Sequence, residues 1–445
     1  MADPHDPDRD DNPFKGTPME QFFTAFTGGG GTPDFQALMN QVQRMFAPHE
    51  GHVNFDMAKD VARHVLAAAG PDPTPHAGER SAVDDALRLA EMWLDTATDL
   101  PAGATRAVAW SKAEWVEQTS GTWHQLVEPI AEHVVKAVGD ALPAEARAMA
   151  GPLVGMLSQA GGAMFGQQVG QALGTLAGEV LSSTDVGLPL GPERTAAVLP
   201  ANVRAFGEGL EHSEADVLLY VVLREAAHQR LFAHAPWLAA QLVGAVEDFG
   251  RGVTIDVSAI ESQLGSLDPS RPDEIAEALQ GGLFEPARTP QQEQALQRLE
   301  TMLALVEGWV DEVVTQATKD RMPAAVPLAE AMRRRRAEGG PAEQTFATLV
   351  GLELRPRRLR DAANLWAALR DAQGPEVRDA VWSHPDLLPT VDDLDDPIGF
   401  AAGENRPSDG PSAQFDAQFD EALGRLLDEG DAGDDRPAGD DDQPR

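Results

Sequence analysis

The chain of 445 residues is 42% hydrophobic and 24% charged, within the range of globular proteins, so a large core can form and wholesale disorder is excluded. Acids outnumber bases by 72 to 35, a formal charge of -37, which opposes general binding to nucleic-acid phosphates or anionic membranes. The chain has no cysteine, which removes disulfides, thiolate zinc sites and cysteine catalysis and suits a reducing compartment.

At the start, Met1 to Pro7 has neither a basic region nor an apolar stretch of the kind secretion requires, so the cytoplasm is the expected location. Residues 1–35 mix Pro and Asp with the run Gly28-Gly29-Gly30-Gly31 and read as a mobile arm, with Phe22, Phe23 and Phe26 as an apolar latch. From residue 36 to about 395 the apolar spacing is helical almost throughout. Phe55, Val61, Val65 and Leu66 mark one helix, and Val83, Leu87, Leu89, Trp93 and Leu94 the next. Ser111 with Glu114, and Ser213 with Asp216, have the spacing of helix-starting caps. Only Gly252 to Val257 looks extended enough for a short strand. Glycines at 162, 166, 170, 174 and 178 leave a shallow groove along one helix side, predicting a close helix crossing inside the core rather than a membrane seam. The apolar run from Val217 to Leu223 is seven residues long, far short of the roughly twenty needed to span a bilayer.

Eight arginines crowd between Arg333 and Arg360 against Glu338, Glu343 and Glu353, a locally positive patch. From Val391 to Arg445 seventeen acids face four arginines, so residues 396–445 read as a solvated, disordered acidic tail. Inside it, Phe415, Phe419, Leu423, Leu426 and Leu427 have helical spacing and suggest a docking helix, held in cis on the arginine patch or bound to a partner protein.

Chemistry concentrates behind the Val217–Leu223 run, where Arg224, Glu225 and His228 arrive as ionisable groups on a helix that is apolar on every face. The pattern R-E-x-x-H is the metalloprotease motif H-E-x-x-H with its first ligand replaced. In that motif two His one turn apart hold zinc while the Glu polarises the metal-bound water. E-x-x-H alone is weak, expected on the order of once in a chain of this length. His234 reads as a helix-end histidine, because a continuous helix turns it away from His228. Downstream, Glu307 and Asp311 place carboxylates at i and i+4 on an apolar helix, the arrangement of a third ligand and a carboxylate that orients a ligand His. Glu247-Asp248 competes for that role but looks like a helix end.

Taken together, Arg224 to Phe232 with Pro236-Trp237-Leu238, Leu305 to Asp311, Val381 to Pro389, and Gly170 to Leu190 resemble a bacterial family of zincin-like, zinc-dependent metalloproteases. Some of its members carry a label for coenzyme F420 biosynthesis, and five lysines against thirty arginines suit its actinobacterial branch. The resemblance implies a mainly α, zincin-like helical domain and a peptide or protein substrate. It also implies zinc as cofactor, Glu225 as general base, and His228 and Glu307 as ligands. Arg224 stands at the first ligand position and Trp309 where E-G-H members have His. The rival expectation is an inactive scaffold in which Arg224 replaces the metal, pairing with Glu307 or Asp311.

Overall fold

A computed structural model of the protein describes residue 49, residues 51–141, 151–251 and 289–337, residue 345, and residues 358–403. The arm at 1–35, the expected strand at 252–257 and the amphipathic stretch at 415–427 lie outside the described residues.

The expected helical character holds. Helix α1 (Phe55–Ala69) starts at Asn54, whose side chain accepts from the Met57 amide, and α2 (Ala77–Leu94) starts in a capping box of His76 and Glu79. Next come α3 (Lys112–Ala141) and α4 (Gly151–Ala177), then α5 (Pro200–Gly207), α6 (Glu214–His234) and α7 (Pro236–Arg251). After these come α8 (Pro290–Thr318), α9 (Ala325–Ala337), α10 (Leu359–Gln373), α11 (Pro375–Ala380), α12 (Val391–Asp395) and α13 (Pro397–Ala402). Both predicted caps form. The Glu114 amide donates to Ser111 Oγ at 3.2 Å while Glu114 Oε2 accepts from the Ser111 amide at 2.7 Å, and the Asp216 amide donates to Ser213 Oγ at 3.1 Å.

The glycine groove is where α1 crosses α4. A Cβ on Gly166 or Gly170 would run into the backbone carbonyls of Asn54 and Ala58, and one on Gly174 would lie 2.7 Å from Val65 Cβ. Small residues at this spacing therefore let two backbones touch inside the core, as the sequence suggests.

Two strands appear where none is expected. β1 (Arg106–Ala109) and β2 (Thr195–Val198) pair in parallel, Arg106 opposite Thr195 through Ala109 opposite Val198. Their sequences, RAVA and TAAV, are too short and too Ala-rich to separate from helix by periodicity, and each has its partner about ninety residues away. At the other end the ordered body continues past 396, where acidity alone places the start of the tail. Ala401 on α13 is buried and its carbonyl accepts from Gln373 on α10.

Two helices cross the middle. On α6, Val217 and every residue from Tyr220 to Leu231 are buried, and on α8 the same is true from Met302 to Val314. They pack on each other and against α2, α7 and α10. Such all-round burial is possible only because both carry apolar faces on every side, and it forces their few ionisable groups to pair internally.

Candidate functional site

The site forms where α6, α8, α9 and the loop between α4 and β2 meet. His228 Nε2 lies 3.1 Å from Glu307 Oε1 across 79 positions, so of the three residues that the sequence expects to converge, Glu225, His228 and Glu307, these two are brought together. Arg224 lies between α6 and α8. Its Nη2 donates to Glu307 Oε2 at 2.5 Å, and its Nη1 is 3.5 Å from Asp311 Oδ1. Helix periodicity explains the set: 224 and 228 on α6, and 307 and 311 on α8, are one turn apart and share a face.

The remaining partners come from α9. Arg336 pairs with Glu307 Oε2, Arg333 Nη1 donates to Asp311 Oδ2 at 3.1 Å, and Arg335 Nη1 donates to Asp185 Oδ2 at 2.9 Å. Arg336 also donates to the Asp185 carbonyl at 2.9 Å. Of the arginine patch that composition presents as a landing surface for the tail, Arg333, Arg335 and Arg336 are thus turned inward. Arg334 stays exposed beside Glu330, and Arg358 is held by Asp361 and Asp395. Sequence pattern could not show this, because acids nearby in sequence were counted while the acids that neutralise Arg335 and Arg336 lie far upstream or on another helix.

Glu225 faces elsewhere. It is fully buried and accepts from Ser183 Oγ at 2.6 Å, Thr184 Oγ1 at 2.5 Å, the Thr184 amide at 3.2 Å and Gln229 Nε2 at 3.0 Å, with the Ala197 amide at 3.4 Å. None of these partners is shared with His228 or Glu307. The carboxylate ties the 182–184 loop and β2 to α6. The same loop continues to Gly187, whose positive φ of 78° favours glycine and whose backbone lies against Glu307.

Trp309 is also buried, and its indole donates to Asp379 Oδ1 at 2.9 Å. Asp379 is bound in turn by Arg378, which also reaches Glu312 at 2.5 Å and the Ala97 carbonyl at 2.8 Å. Sequence reading missed this second buried ion cluster. Its signal, Arg378-Asp379 beside a Trp-bearing helix, is indistinguishable from a surface pair until α11 is placed. His234 bonds the Arg230 carbonyl at 2.8 Å at the end of α6, and Glu247 and Asp248 pair with Arg251 at the end of α7.

Electrostatics follow from burial and crowding. Burial by itself would raise Glu307, but Arg336, His228 and Arg224 outweigh it and hold the carboxyl far below the usual range. Asp185 is likewise lowered, Arg335 and Arg336 overcoming its burial. Burial opposes the Arg224 charge, yet Glu307, Tyr220 and Asp311 hold it more firmly protonated than an ordinary arginine. A carboxylate lowered on folding adds stability above its unfolded value and loses it as pH falls through its folded one, since the unfolded chain then binds more protons. The contribution of Glu307 and Asp185 is therefore complete above their ordinary values of 4.5 and 3.8 and disappears on acidification. Urea unfolding from neutral to acid pH should show this loss, and Arg336→Gln should flatten it. Equal pH slopes for both proteins would refute the coupling.

Zinc does not fit these residues. His228 Nδ1 lies 2.9 Å from the Arg224 carbonyl, which leaves Nε2 as the nitrogen turned toward Glu307, 3.1 Å from its Oε1. Among the described residues Glu307 is the one carboxylate in reach of His228, and two guanidinium groups already neutralise it, so a dication would sit against like charge. Among the described residues no group of three or more His, Asp or Glu could hold a metal ion.

With this geometry in place, the comparison with known proteins is specific. The model of the family described as zincin-like metallopeptidase matches residues 53–401. The chain belongs to that family. Among solved structures it is similar to one titled "putative hydrolase with a novel fold", from Chloroflexus aurantiacus. That similarity has 20% identity and a TM-score of 0.57, covering 80% of this chain and all of the other. At that identity the likeness concerns the fold. No curated protein matches the chain significantly. Among the described residues no helix is long and apolar enough to cross a membrane.

Proposed function

We propose that this member of the zincin-like family has exchanged its metal centre for a guanidinium–carboxylate core, with Arg224 in the place of the metal, and that it acts as a binding or scaffold protein. The observation carrying this reading is the shared grip of Arg224, Arg336 and His228 on one carboxylate, Glu307. A fixed cation gives the carboxylate on α8 what a metal gives in the family, a positive charge between two helices, but it provides no acidic water.

The hydrolase reading has the family and the structural neighbour behind it. Within it a peptide or protein would be the substrate, Glu225 the general base, and His228 and Glu307 the zinc ligands, with Asp311 in support. It requires Arg224 and Arg336 to leave Glu307, and Glu225 to leave Ser183 and Thr184. The actinobacterial character, the coenzyme F420 label and a cytoplasmic location rest on the sequence alone. The proposed partner is a protein.

Elemental analysis decides between the two. The full chain, incubated with zinc and freed of excess, should retain only traces. Retention of about one zinc per chain, abolished by His228→Ala, would overturn the proposal.

A further inference from the structure

The first turns of α6 form one wall of a cleft of about 820 Å³, closed on its other sides by α2 and by α5 with the turn that follows it. Its volume lies in the range of ligand-holding clefts, roughly 300–1,000 Å³. Apolar side chains line the interior: Ala86 and Leu89 from α2, Val203 from α5, and Val217 and Leu218 from α6. Leu89 and Leu218 are only half-buried, although α6 disappears into the core one turn later. Neither Arg224, His228 nor Glu307 reaches this cleft.

The rim is acidic. Glu79, Asp85, Glu208, Glu214 and Asp216 make five carboxylates among seventeen lining residues, against 72 acids in the 445 of the chain, so the rim is more acidic than an already acidic protein. Arg204 is the one arginine there, and Glu79 neutralises it at 2.6 Å. Glu208 and Glu214 are exposed and have no ion-pair partner among the described residues.

We propose that this cleft is a docking groove for a cationic amphipathic helix of a partner protein. Its apolar floor would take the helix's hydrophobic face, and its rim would pair with flanking Lys and Arg. The occupant cannot come readily from this chain. Residues 1–48, 252–288 and 404–445 carry net charges of -4, -5 and -9, residues 338–357 carry -1 and residues 142–150 none. The rim repels the first three and attracts none of the five, and a second copy at -37 fits no better. The groove does not depend on what occurs at Glu307, so failure of the zinc experiment leaves it standing.

The test uses the full chain and a fluorescent eighteen-residue helix of Leu and Lys with one apolar face. Two controls accompany it: the same helix with Glu in place of Lys, and a scrambled Leu/Lys sequence that cannot segregate its faces. Anisotropy should show saturable binding of the amphipathic Lys helix, weakened at least about tenfold between 50 mM and 500 mM salt, and no binding of the Glu helix. Glu208→Arg with Glu214→Arg, or Ala82→Arg on the exposed rim of α2, should weaken binding about tenfold or more with unchanged melting. Asp320→Arg with Asp371→Arg, which changes the total charge equally but lies outside the cleft, should leave it intact. Equal loss in both double variants, comparable binding of the scrambled peptide, or no saturable binding at all would overturn the proposal.

Discussion

Arg224→Ala is expected to destabilise the protein by roughly 3–5 kcal/mol, the usual cost of leaving a buried charge without its partner. Arg224 is almost fully buried, and its two closest acids, Glu307 and Asp311, are buried with it. Arg336 and Arg333 would still neutralise part of the exposed charge, which places the expected value nearer the lower end. Urea unfolding at neutral pH measures it directly. Adding Glu307→Gln to Arg224→Ala should cost much less than the sum of the single changes, because the second substitution removes the charge that the first left stranded. Additive losses, or a single-variant loss below about 1 kcal/mol, would mean that the pair contributes no more than a surface ion pair.

The second large effect is expected at Glu225. Glu225→Ala deprives two hydroxyls, the Thr184 amide and the Gln229 amide of their acceptor in a fully dry environment. Each unsatisfied buried donor costs about 1–3 kcal/mol, so a loss of several kcal/mol follows even if some groups find each other. Glu225→Gln keeps one acceptor oxygen but turns an NH2 toward donors, and should lie between. Replacing a base that works in an open active site removes activity and leaves stability nearly untouched, so thermal unfolding separates the two roles. An unchanged melting temperature for Glu225→Ala would restore the general base to consideration.

Much of this was legible from spacing. The sequence expected Glu225, His228 and Glu307 to converge, with Arg224 pairing to Glu307 or Asp311 as the rival reading. His228, Glu307, Arg224 and Asp311 do meet, while the Glu225 carboxylate turns to Ser183 and Thr184, and the glycine period predicted the α1–α4 crossing. Side-chain direction was not legible. Residues 224 and 225 are neighbours in the motif, yet one turns to α8 and the other to the 182–184 loop, a choice made by polar partners forty to eighty positions away. Arg333, Arg335 and Arg336 likewise appeared as a surface run because α9 looks polar on most sides. Only the placement of Asp185, Glu307 and Asp311 shows that three of its arginines face inward. The two short strands escaped because four-residue segments of Ala, Val and Thr acquire their conformation from a distant partner.

The ion junction also bears on the order of events during folding. Arg224 and Glu307 are 83 residues apart, and Arg335 and Asp185 are 150 apart, so closing these contacts joins segments distant in sequence and carries a large loop-closure cost. A half-assembled junction would strand a carboxylate or a guanidinium away from water without its counter-charge, which is costlier than leaving both hydrated. The junction is therefore expected to close late and to contribute little to the speed of folding. Interactions that form late hold back the reverse reaction instead. Four arginines and their acids then act chiefly as a brake on unfolding, lengthening the lifetime of the native state more than they hasten its formation.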